Sequence, residues 1–138
     1  MSEQRDDATK ETTWPPAPKN ELAEGVIFEA AALYRPVRGR ETVQALMIAV
    51  SNYYARMEFT TPPAVLDDAT YLQWEGTTPS GTELKGVTVI TRNSEGLIAH
   101  IAVHQRPLGG LLEFSADFGS GFSATGAVSA QYFYQEKR

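Results

Sequence analysis

A chain of 138 residues, 42% apolar and 21% charged, has the balance of one globular domain whose core hides about two thirds of the surface its unfolded form exposes. The net charge of −5, with Lys and Arg scattered rather than clustered, argues against nucleic-acid binding. The absence of cysteine excludes disulfides, thiolate metal sites and a Cys nucleophile, and no apolar run reaches the roughly 18 residues of a membrane span.

Residues 1–20 are polar and charged, and they cannot bury enough apolar surface to offset ordering. They read as a flexible arm without the apolar core of a signal peptide, so a cytoplasmic location is expected. Trp14, followed by Pro15 and Pro16, is its odd member: it either docks on the domain or is simply an aromatic near the chain end. Residues 20–25 have room for one helical turn, with Asn20 as cap and Gly25 as stop. A β-type run at 26–28 then ends on Glu29. Further on, Val43, Leu46, Met47, Val50, Tyr53 and Tyr54 recur at helical spacing and predict an amphipathic helix.

Strands are expected next. Residues 58–66 are interrupted by Pro62-Pro63, which belongs at an edge or bulge. Residues 71–78 alternate, with Leu72 and Trp74 on one face and Tyr71, Gln73 and Glu75 on the other. Residues 86–92 are rich in Val, Ile and Thr, Asn93-Ser94-Glu95-Gly96 makes a hairpin turn, and 97–106 form a long strand that Pro107 ends. LGGLLEFSADF is only partly periodic and is weakened by Gly109 and Gly110, so a short helix or irregular turns are expected there. The tail alternates and can add a final strand. The organisation is an arm at 1–20, one α+β domain at 21–122 with its sheet curling over a helix, and a tail at 123–138.

The stretches VIFEAAALYRPVRGRETV, QALMIAVSNYY and ELKGVTVITRNSEGLIAHIAVHQRPLGGLLEF, in this order, resemble the nuclear transport factor 2-like superfamily and its SnoaL-like branch over residues 22 to about 118. In that branch an early strand leads through a Pro-Val/Arg-Gly turn into a helix. A later Gly-ended hairpin precedes a strand closing in Arg-Pro-Leu. The resemblance implies a cystatin-like cone, a curved antiparallel sheet wrapped around helices with an apolar cavity, commonly a homodimer through the outer sheet face. It also implies a long N-terminal helix as a lid, for which Pro15, Pro16 and Pro18 leave little room. Isomerases, epoxide hydrolases, polyketide cyclases, dehydratases and non-catalytic domains share this fold, so function rests on site residues.

Laid onto the steroid-isomerase branch, Glu29 falls where that branch carries its proton-abstracting carboxylate. Under an apolar roof a carboxylate becomes a useful base near neutral pH; the alternative is a solvated strand-end Glu, or one paired with Arg35, Arg38 or Arg40. The branch's helper acid falls at about Thr88, which donates one hydrogen bond but cannot act as a protonated carboxyl. Its helper Tyr belongs to the shortened first helix, so the usual isomerase chemistry is not expected. A hydrolase set would need Arg92 to meet Asp67 and Asp68, which lie in a turn. His100 and His104 share one face of their strand. His104 is an acid/base candidate if that face lines the cavity, but Ala99, Ile101 and Val103 make the better cavity face and turn the histidines outward. Two His about 13 Å apart cannot chelate one metal, and no metal or cofactor is expected.

Phe28, Tyr54, Tyr71, Trp74 and Thr88 are the candidate ligand-binding residues, with core packing the simpler role for Phe28. The reading is a SnoaL-like domain whose partners are a small apolar molecule and a second copy of itself, with neither nucleic acid nor membrane. One alternative is an acid/base enzyme of isomerase, cyclase or hydrolase type on a polyketide-, steroid- or terpene-like substrate, using Glu29 with Tyr71, Gln73, Thr88 or His104 as helper. The other is a protein-interaction module using the His and Gln face of strand 97–106. Glu29 inside a closed apolar cavity beside a second polar group favours the enzyme; Glu29 in solvent counts against it.

Overall fold

The computed structural model describes residues 17–135, so most of the expected flexible arm lies outside the described residues. At its described end a single 3-10 turn covers Lys19–Glu21. The helical turn expected over 20–25 does not form. Leu22 instead opens strand β1, Leu22–Ala30, with Leu22, Val26 and Phe28 facing the core. The reason is pairing: Leu22 lies opposite Ile98 across the sheet, and a helical turn would lift this fully buried side chain off the core.

Strand β2, Val37–Arg38, pairs with β1 and leads into helix α1, Arg40–Tyr53. Val43, Leu46 and Met47 are buried on one face, as the periodicity predicts. The Arg40 Nε–H donates to the Leu22 carbonyl at 3.1 Å and holds the helix start against β1. Strands β3, Arg56–Phe59, and β4, Ala64–Leu66, are separate, because proline cannot donate to the ladder at 62–63. Both pair with β5, Ala69–Thr77, which is followed by β6, Glu83–Arg92, and β7, Ile98–Arg106.

The curved, unclosed sheet runs β2-β1-β7-β6-β5-β3, with β4 also on β5. It departs from an all-antiparallel sheet at one seam: β1 and β7 are parallel. They are joined through α1 and the whole meander rather than by a hairpin, so no tight turn forces them antiparallel.

The segment expected as a short helix or irregular turns is the 16-residue helix α2, Leu108–Ser123. Its buried residues, Leu111, Phe114, Ser115, Phe118, Gly119 and Phe122, form one continuous helical stripe. The stripe continues past the stretch that ends at Phe118, and the two glycines fall in the first turn, so neither interrupts it. Gly119 is a packing requirement: a Cβ there would lie 2.4 Å from the Phe133 ring. Phe133, 4% exposed, enters the core between α2 and Leu33. The described tail therefore returns to the same core through a 3-10 turn at Ala130–Tyr132 and one isolated bridge. Among the described residues no helix is long and apolar enough to cross a membrane.

Candidate ligand-binding site

Helices α1 and α2 lie against the concave face of the sheet, and between them is a small void. β1 supplies Phe28 and Ala30, β5 Trp74, β7 Val103 and Gln105, the end of α1 Tyr54, and α2 Phe114 and Phe118. Parity on each strand sets this list, since alternate residues share a face. The void measures about 30 Å³, room for roughly one water. Aromatic rings fill most of the space. Phe114, Phe118 and Phe122 stack along α2 at 5.3 and 5.6 Å, and Tyr54 stacks on Phe114 at 5.5 Å.

Two polar atoms break this apolar lining. Tyr54 Oη and Gln105 Oε1 are buried, and neither makes a well-formed hydrogen bond to a described protein group, although the Gln105 amide lies close to the phenol. Burial pushes the Tyr54 phenol well above its ordinary 10, only partly opposed by the neighbouring Gln105 amide. At neutral pH Tyr54 is thus a hydrogen-bond donor and not a base. Buried groups of this kind are satisfied by water or by a ligand's polar atom.

Helix α2 is held firmly over the void. Tyr53 Oη donates to Asp117 Oδ2 at 2.6 Å, and burial together with this carboxylate also raises the Tyr53 phenol. Glu113 accepts from Ser80 Oγ and Thr82 Oγ1 at 2.9 and 2.8 Å. Ser115 Oγ donates to the Ala32 carbonyl at 2.7 Å and accepts the Tyr134 N–H at 2.9 Å.

Of the residues proposed from sequence, Phe28, Tyr54 and Trp74 meet in this wall. Thr88 is fully buried, but it accepts the Trp74 Nε1–H at 3.0 Å and so fixes the indole instead of lining the void. Tyr71 lies on the outer sheet face, 39% exposed, because it is one residue out of phase with Leu72 and Trp74. Arg92 donates to the Gly96 carbonyl and Asp67-Asp68 make the tight β4–β5 turn, so these three do not converge on a cavity.

Of the two readings left open for Glu29, the geometry matches the strand-end Glu outside any apolar roof. Phe28 points inward, so Glu29 points outward, its side chain 52% exposed, with Oε2 2.6 Å from His100 Nε2. Its partner is this histidine and not one of the nearby arginines. His104 is exposed on the same outer face, as the Ala99-Ile101-Val103 phase predicts. Gln105 corrects the grouping of glutamine with the histidines: it is in phase with Ile101 and Val103 and turns inward. Strand alternation alone identifies it. An exposed side-chain pair of this kind contributes at most about 1 kcal/mol. Glu29→Gln is therefore expected to leave the melting temperature and ligand binding nearly unchanged. A large loss in thermal unfolding would show that Glu29 does something the outer face does not explain.

No protein-family model matches the chain, and no curated protein matches it in sequence. Solved structures do match in shape. A steroid delta-isomerase from Pseudomonas aeruginosa superposes with a TM-score of 0.71 at 19% identity, covering 80% of each chain. An uncharacterised cystatin-like-fold protein from Silicibacter pomeroyi gives 0.68 at 22% identity, over 78% of this chain and 75% of that one. A SnoaL-like family protein from Agrobacterium tumefaciens gives 0.51 at 19%, over 62% and 74%. What this chain shares with all three is the cystatin-like, nuclear transport factor 2-like fold that the sequence resemblance implies.

Proposed function

We propose that the chain is a SnoaL-like small-molecule-binding domain whose ligand is mostly apolar and carries one hydroxyl or carbonyl group. The observation that supports it is the neighbouring pair Tyr54 Oη and Gln105 Oε1, buried without a well-formed hydrogen bond in an otherwise apolar wall. The Tyr54 hydroxyl can donate to a ligand carbonyl or hydroxyl oxygen, and Gln105 Oε1 can accept from a ligand hydroxyl, on an otherwise hydrophobic skeleton. The present void is far below the roughly 300 Å³ of a typical ligand pocket, so side chains must move aside. Met47 and Met57, both in the wall, are the adaptable members. Helix α2 is tied by the bonds to Asp117, Glu113 and Ser115, so the way in runs beside Met57 on the edge strand β3.

Acid/base catalysis through Glu29 is not part of this reading, because that carboxylate is on the opposite side of the sheet from the void. The partner proposed for the outer face is a second copy of the chain. Half-buried apolar residues Val89 and Ala102 sit directly opposite one another between Tyr71 and Glu29 and make a row across four strands. Val89→Lys is expected to convert a dimer to monomer in sedimentation velocity, and a wild-type chain that is monomeric at all concentrations sinks this part.

A thermal-shift screen of small apolar alcohols and ketones tests the ligand reading, repeated on Tyr54→Phe and Gln105→Leu. Compounds that raise the wild-type melting temperature are expected to bind Tyr54→Phe about tenfold more weakly, the loss of one buried hydrogen bond. Tyr54→Phe itself should change stability by no more than about 1.5 kcal/mol. Equal binding by wild type and both variants would remove the role given to this pair.

A further inference from the structure

Phe133 is the one residue of the described tail in the wall of the inner void. Its buried ring stands nearly perpendicular to Phe118, at 5.8 Å, and to Phe122, at 6.5 Å. The α2 backbone approaches so closely that a Cβ on Gly119 would lie 2.6 Å from the Phe133 Cβ. The missing side chain at 119 therefore opens a flat slot beside two aromatic rings, a place that suits another ring packed edge to face.

The ring in the slot is held more lightly than the slot itself. Residues 124–127 and 129–131, which lead to it, are exposed. Among the described residues, two hydrogen bonds tie 130–135 to the rest of the fold. Tyr34 N–H donates to the Tyr132 carbonyl at 2.8 Å, and Tyr134 N–H donates to Ser115 Oγ at 2.9 Å. Tyr134 also stacks on Tyr34 at 4.7 Å, itself an exposed residue. The bonds from α2 to Tyr53, Ser80 and Ala32 do not involve the tail and persist without it. A segment with so few ties opens without global unfolding.

We propose that this slot is an aryl-binding subsite of the inner void, and that the tail closes it by placing Phe133 there as an internal competitor. Withdrawal of one phenyl group frees a benzene-sized space, on the order of 150 Å³, without moving a strand or a helix. The ligand then carries a flat aromatic ring, and its apparent affinity is reduced by the fraction of chains whose tail is docked. The link to the oxygen-bearing ligand rests on the ligand reading above, whereas the slot and its competing tail do not.

Toluene and methylcyclohexane, added to the full chain, test this. Phe133→Ala removes the competitor, and Tyr134→Ala loosens the tail while leaving every residue of the slot in place. Toluene is expected to bind Phe133→Ala at least about tenfold more tightly than wild type, with Tyr134→Ala in between. It should also bind several-fold more tightly than methylcyclohexane, which cannot make the edge-to-face contacts. In wild type, toluene is expected to speed hydrogen exchange at the Tyr34 and Tyr134 amides about tenfold while the amides of β6 and β7 stay protected. Should Phe133→Ala not fold, Tyr134→Ala and the wild-type exchange decide. Equal toluene binding by wild type and Tyr134→Ala overturns the proposal. So does equal binding of the two probes, or exchange at Tyr34 and Tyr134 that toluene leaves unchanged. Toluene has no oxygen, so Tyr54→Phe should bind it as wild type does, and the slot and the Tyr54–Gln105 pair succeed or fail separately.

Discussion

Phe118→Ala is expected to cost about 3–5 kcal/mol, which corresponds to a fall of roughly 15 °C in melting temperature. Phe118 is 5% exposed and sits at the centre of the aromatic cluster, with ring centroids 5.3 Å from Phe114, 5.5 Å from Tyr53, 5.6 Å from Phe122 and 5.8 Å from Phe133. Truncation removes transfer energy and leaves a cavity. The surroundings cannot easily close on it, because Asp117, Glu113 and Ser115 tie α2 to three separate parts of the chain. The same rigidity makes the cavity useful. An apolar cavity fused with the existing void stays open to a small aromatic molecule, so benzene or toluene should restore part of the lost stability. Urea unfolding with and without the additive measures both effects. A loss below about 2 kcal/mol with no recovery would mean that Phe133 swings in and the cluster is softer than its bonds imply.

The second large effect is at Gly86. A Cβ at this position would meet Trp74 Cζ2 at 2.5 Å, Trp74 Cε2 at 2.7 Å and the His104 carbonyl at 2.9 Å. Neither neighbour can give way cheaply. The indole is fully buried and pinned by its bond to Thr88, and the carbonyl belongs to β7, paired with β6 along its length. Gly86→Ala is therefore expected to cost about 3 kcal/mol through overpacking and to change the near-ultraviolet signal of Trp74. Gly25→Ala is the control, since nothing lies within 4 Å of a Cβ there, and it should stay within about 0.5 kcal/mol. Equal stability of the two variants in chemical denaturation would refute the close approach of β6 to Trp74.

Much of the architecture was legible before any coordinates. The helix around Val43, Leu46 and Met47, the Pro62-Pro63 interruption, the hairpin at 93–96 and the outward histidines all follow from local periodicity and turn chemistry, which act over a few residues. Alternation on β7 also contained the inward turn of Gln105, although grouping it with the histidines concealed this. Helix α2 was obscured by Gly109 and Gly110, which matter little in a first helical turn once an aromatic stripe is buried along the rest. The strand at 22–25 was obscured because its cause is Ile98, 76 positions away by residue number.

The sequence alone therefore determined the fold class, the order of most elements and which residues alternate, because these depend on spacing along one chain. It also carried the resemblance that drew attention to Glu29. Only the tertiary structure decided which side chains of separate elements meet on the enclosed face. Glu29 was put outside, against His100, while Tyr54 and Gln105, from a helix end and a distant strand, were brought together inside. Thr88 became the support of Trp74 and lies outside the lining of the void. The physical reason is that alternation sorts each strand's residues onto two faces but does not say which residues of distant strands and helices meet there. Covering is done here by α1, α2 and Phe133, from three separate parts of the chain.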